Sequence, residues 1–275
     1  MNIKRFVAGF FVVIGVTGPM TAAAANDDGT FARGYAAFQA GRFDDAMKLW
    51  EPLAEAGDAR AQFNLGVMHA EGRGTGHSGR NMRKAAGWWR RAGAQGHTRA
   101  LHNLALAHIG GVIGGQDYAQ AVNYLEQAAK GGFANSQYTL GKMYHYGLGV
   151  VRNYSESARY FEMAAEQGFI KAAYNLGKAY RDGHGVGVDH GASVKWFRVA
   201  AEGGYAKAQR HLARRLARGQ GTEANPEEAL MWAILAADHG LAKAVDLARN
   251  LRAALSTDAV SRAEAAARAF EPRTR

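Results

Sequence analysis

Five leucines keep time along this chain. Leu104, Leu140, Leu176 and Leu212 stand 36 residues apart, and Leu65 precedes them by 39. A period in this range points to a stack of helical units, each burying its face only against its neighbours. Four residues before each leucine is a small side chain: Ala61, Ala100, Ser136, Ala172 or Ala208. Four after it is His69, His108, Tyr144, Tyr180 or Leu216, and then a glycine: Gly72, Gly111, Gly147, Gly183 or Gly219. That spacing predicts one face of a helix, helix A, which the glycine ends.

A second helix, helix B, follows at fixed distance. Asn81, Asp117, Asn153, Asp189 and Asn225 recur every 36 residues, and each is a preferred N-cap residue. Pro226, next to the last of them, suits a first helical turn. Seven residues past each cap stands Trp88, Tyr124, Tyr160, Trp196 or Trp232. These aromatics are expected to fill the gap between neighbouring units. Small pairs such as Ala128-Ala129 and Ala200-Ala201 follow, and Gly96, Gly132, Gly168, Gly204 and Gly240 close the units.

The stretches "AQFNLGVMHAEGRG" (61–74) and "AAYNLGKAYRDGHGVGVD" (172–189) resemble helix A and the loop of the Sel-one-like repeat (SLR) family. "WFRVAAEGG" (196–204) resembles the end of its helix B. This family is a branch of the tetratricopeptide-type solenoids. The resemblance covers residues 58–240 as five repeats: 58–96, 97–132, 133–168, 169–204 and 205–240. It implies an all-α, right-handed α-solenoid of stacked helix–turn–helix repeats of about 36 residues. Residues 26–57 resemble a related opening pair, and 241–275 are expected to hold capping helices and a short basic tail. Such repeat proteins act as scaffolds or regulators of signalling, envelope and secretion machinery. The resemblance therefore implies a non-catalytic adaptor that binds another protein.

The first 25 residues differ from the rest. Lys4 and Arg5 precede an uncharged apolar run, Phe6 to Val16, and small residues end at Ala25. This is the pattern of a secretory signal peptide, too short in its apolar part for an ordinary membrane span. It predicts export, to the periplasm first and the extracellular space second. The chain has no cysteine, which excludes thiolate metal sites, thiol catalysis and a disulfide framework. Removing the leader leaves 32 Lys+Arg against 24 Asp+Glu. That balance favours an anionic partner, and export ranks nucleic acid low.

Catalysis is the minority reading. His69 and His108 occupy the position that Tyr144 and Tyr180 fill elsewhere, so they read as packing substitutes. No H-E-x-x-H or G-x-S-x-G is present, and capping accounts for Asp117 and Asp189. A hydrolase would need His77 or Asp117 in a site near the N-terminal end. GTGHSG (74–79) matches G-x-G-x-x-G formally, but no strand precedes it and Asn81 follows as a cap. We read no cofactor or metal site. This loop has three more residues than its equivalents, and Arg73, His77 and Arg80 make it a candidate rim contact.

In tetratricopeptide-type superhelices helix A lines the inner groove, and the resemblance implies the same lining here. The positions are five and two residues before each leucine and two, five and six after it. Most of these fall near one helical face. They place Arg60, Phe63, Arg99, His102, Tyr138, Lys142 and His145 in the groove. From the later repeats they add Lys171, Tyr174, Lys178, Arg181, Lys207, Arg210, Arg214 and Arg218. Val67, Leu106 and Ile109 make the expected groove apolar in the first two repeats. The 25 positions hold ten Lys/Arg and two acids, Glu71 and Asp182. Aromatics flanked by cations suit an acidic or extended protein segment. The alternative is an anionic envelope polysaccharide or peptidoglycan.

Overall fold

The computed structural model describes residues 28–76 and 79–273. The expected signal peptide and His77 lie outside the described residues. The described residues form fourteen α-helices and no strand. An opening pair, α1 (Asp28–Gln39) and α2 (Phe43–Glu55), precedes the repeats. The repeats follow as α3 (Ala59–Glu71) and α4 (Met82–Ala94), then α5 (Thr98–Gly110) and α6 (Tyr118–Lys130). After them come α7 (Ala134–Tyr146), α8 (Tyr154–Glu166), α9 (Ile170–Asp182) and α10 (His190–Glu202). The last pair is α11 (Ala206–Arg218) and α12 (Pro226–Asp238), followed by α13 (Ala242–Ala254) and α14 (Thr257–Arg268). The architecture is an α-solenoid. None of these helices is long and apolar enough to cross a membrane.

The helices group into two compact units. One holds the described residues up to Met143 with 147–151, the other Tyr144–Tyr146 with the residues from Arg152 onward.

Each expected cap closes a helix B. The side chains of Asn81, Asp117, Asn153, Asp189 and Asn225 accept from backbone amides three residues on, at 2.9–3.1 Å. The amide of each cap residue donates back to helix A, for example Asp189 to the Tyr180 carbonyl at 3.0 Å. Every A–B loop is thus tied at both ends, which satisfies groups that helix termini leave unpaired. The ending glycines sit in the left-handed region, Gly183 at φ +71°. Gly185 lies so close to the Tyr154 carbonyl that a Cβ would collide with it.

The expected aromatics pack between units, Trp88 and Tyr124 against the core of the preceding one, and a second set of rings lies one residue further on. Trp89, Phe161 and Phe197, eight residues past their caps, are buried, and so is Trp232 at seven. At seven, Tyr124 stacks on His108 at 5.6 Å and Tyr160 on Tyr144 at 5.7 Å, while Trp88 packs against the core of the opening pair. His108 therefore packs as a tyrosine does. The small residue after the leucine admits the buried ring: a Cβ on Gly177 would stand 2.9 Å from Phe197, and one on Gly66 would strike Trp89. Gln62, Gln137 and Gln209 each donate to a carbonyl near the end of the preceding helix B.

The C-terminal end is held by hydrogen bonds and ion pairs. Ser256 caps α14 through the Ala259 amide at 3.3 Å. On this terminal helix Arg262 pairs with Glu227 at 2.5 Å and Glu264 with Arg252 at 3.0 Å. The tail returns to α10, where the Arg273 amide donates to the Glu202 carbonyl at 2.8 Å.

Candidate functional site

In the first unit the expected groove is largely closed. Phe63 is 3% exposed and stacks on His97 at 4.5 Å, and Val67 and Ala70 share its core cluster with Leu104. His102 is 4% exposed, its Nδ1 2.8 Å from the Ser136 hydroxyl. Burial pushes its pKa down to about 3, so the ring is neutral. Leu106 and Ile109 are buried as well. The face assigned to a groove is here the seam between successive A helices, because aliphatic and flat side chains pack there. Phe63 and His102 are thus corrected from partner contacts to core residues.

The basic candidates of this unit are largely engaged within the chain. Arg60 makes a two-pronged pair with Asp58, Nη2 to Oδ2 at 2.7 Å, and lies 4.4 Å over the Phe31 ring. Lys142 lies over Tyr138 at 5.8 Å. Arg99 is half-buried at the start of α5. On the long loop, Arg73 pairs with Glu71 at 2.9 Å and covers Phe43, while Arg80 donates to the Ala70 carbonyl at 2.8 Å. Both rim arginines that lie among the described residues are turned to their own chain.

The second unit differs. Its α9 and α11 carry Lys171, Lys178 and Arg181, then Lys207, Arg210, Arg214, Arg215 and Arg218, against a single carboxylate, Asp182. Asp182 is already held by Arg181 through two bonds of 2.7 and 2.6 Å. Among the described residues no carboxylate pairs with Lys178, Arg210, Arg214 or Arg215. Their mutual field is visible in their proton affinities. Burial and the nearby Arg181 hold the Lys178 ammonium below its usual range; burial, Arg218, Arg181 and Arg210 do the same to Arg214. Along α11, Lys207, Arg210, Arg214 and Arg218 spread over roughly 16 Å of helix.

Aromatic rings floor this face. Tyr174 meets Tyr205 edge-on at 4.9 Å, Lys178 lies 5.9 Å over Tyr174, and His211 stacks on Phe197 at 4.9 Å. Arg210 Nη2 donates to His211 Nε2 at 3.3 Å, which requires an unprotonated ring nitrogen. Burial, with Arg210, Arg181, Arg214 and Arg215 around it, lowers the His211 pKa to about 3. His145 stands apart, edged by Tyr146 and Tyr154 at 4.8 and 5.1 Å. Lys171, Lys207, Arg214 and Arg218 are exposed.

Sequence reading missed Tyr205, His211 and Arg215. The signal for Arg215 was present. Three residues past the register leucine the repeats carry Met68, Ala107, Met143 and Ala179, and then Arg215.

The Sel1 repeat model matches residues 59–97, 98–133, 134–169, 170–205 and 206–241. Among solved structures, a Sel1 repeat protein from Oxalobacter formigenes is 27% identical with a TM-score of 0.73, over 79% of this chain and 88% of that one. The c5321 protein of uropathogenic Escherichia coli, a protective antigen displaying an SLR fold, is 25% identical with a TM-score of 0.74. That match covers 88% of this chain but 52% of the other, so the chain spans about half its length. No curated protein sequence matches the chain significantly.

Proposed function

The chain belongs to the Sel1 repeat family, whose members generally act as protein–protein interaction scaffolds, and from that premise we propose that it is a non-catalytic adaptor of an exported system. Its binding surface is the cationic face of α9 and α11, and its partner is another protein that presents an acidic, extended segment. The observation that supports this is the charge imbalance of those two helices, eight cations against one already-paired carboxylate. A solvated surface gains nothing from holding like charges together, whereas a polyanion relieves their repulsion on arrival. The rings of Tyr174 and Tyr205 supply flat area beside the charges. The apolar leader of the sequence supports export.

A double charge reversal, Lys178→Glu/Arg214→Glu, tests the proposal. We expect a labelled peptide of alternating glutamates to bind the natural protein and to bind the variant at least about tenfold more weakly. Binding should fade as salt rises past ~0.15 M. Retention on an anionic glycan without peptide binding would transfer the surface to the polysaccharide reading. Equal behaviour of both proteins toward both probes would leave a plain solvated face.

A further inference from the structure

Arg215 occupies a position that packs like a core residue. Its column holds Met68, Ala107, Met143 and Ala179, all buried, and Arg215 itself is 3% exposed. Among the described residues its Nε has no hydrogen-bond partner, and its Nη1 reaches only the Gln220 carbonyl, at 3.5 Å. Its guanidinium lies 5.8 Å over the Phe197 ring. No free carboxylate is at hand, since Asp182 is committed to Arg181. A buried cation without a counter-charge is strongly unfavourable, and replacing such a group by an apolar one is often neutral or stabilising. Burial, Arg181 and Arg214 all push its proton affinity down, with only Asp182 opposing.

We infer that the missing counter-charge comes from the partner. This rests on the proposed use of the α9–α11 face and names the anchor it would take: adjacent carboxylates of the acidic segment, gripped by the guanidiniums of Arg210 and Arg214. Arg215 does not touch them. It is a positioning residue whose buried charge favours their arrival and makes the stability of the last repeat depend on it. Ligand binding to the folded state alone raises stability by mass action. Here the gain exceeds that of a neutral site, because the bound carboxylates also offset a cost present in the free protein.

The experiment uses the full chain and Arg215→Met, which restores the residue found at Met68 and Met143. The probes are the glutamate peptide, and sodium sulfate at matched ionic strength. We expect Arg215→Met to melt a few degrees higher than the natural protein in chloride. It should bind the peptide about tenfold more weakly and lose at least half of the peptide-induced rise in Tm. Arg215→Lys, which keeps the charge, should retain peptide affinity within about threefold; if it loses as much as Arg215→Met, charge is not what acts. A lower Tm for Arg215→Met with unchanged peptide affinity overturns the inference and leaves Arg215 as a structural cover on Phe197. Sulfate stabilising as much as the peptide also overturns it, because the site would then take a free ion. Failure of the underlying surface reading looks different: Lys178→Glu/Arg214→Glu would bind the peptide as well as the natural protein.

Discussion

At the scale of single residues, the fold is decided by where space is withheld. Phe197 is fully buried between the Gly177 backbone and the His211 ring, so it cannot yield to a new methyl group. Alanine would improve helix propensity at Gly177 by up to about 1 kcal/mol, but overpacking a filled site costs about 1–3 kcal/mol. The clash wins, and Gly177→Ala should lose about 1 kcal/mol in a urea unfolding curve. His102 gives a pH signature. Its pKa falls from an ordinary 6.5 to about 3 in the folded protein, so the unfolded chain binds the proton first. Stability from this residue is complete above about pH 6.5 and is lost as pH falls toward about 3, by up to about 1.4 kcal/mol per pH unit. His102→Gln should flatten the pH dependence of Tm in that window; an unchanged slope would show that other groups carry it.

At the scale of elements, each repeat is a loop tied at two points. Asp189 both caps α10 through the Ala192 amide and donates its own amide to the Tyr180 carbonyl. Asp189→Ala keeps the second bond and removes the first, at about 1 kcal/mol. Since a repeat stack transmits stability through nearest neighbours, amide exchange should quicken in α9, α10 and α11 and much less in α13 and α14. Caps, ending glycines and the terminal helices were legible in the sequence because local hydrogen bonding dictates them. The second ring at eight was not legible, because both positions of Trp88-Trp89 satisfy a ring pattern and only packing buries Trp89 the more deeply. The resemblance to tetratricopeptide-type superhelices also sends Phe63 and His102 to an open groove. Their burial depends on the next A helix closing over them, which one helix's periodicity does not contain. Arg215, by contrast, breaks an apolar column in plain view.

At the scale of the whole molecule, the net charge of +10 is unevenly used. Arg60, Arg73 and Arg91 are paired to acids in the first unit, while α9 and α11 concentrate cations that the chain leaves unbalanced. The central claim is that this face receives an acidic protein segment. Hydrogen exchange of the full chain with and without the glutamate peptide, at low salt, tests it most directly. New protection is expected, confined to Ile170–Asp182 and Ala206–Arg218 and abolished by Lys178→Glu/Arg214→Glu. Protection centred on α3 to α6, or none at saturating peptide, would contradict it.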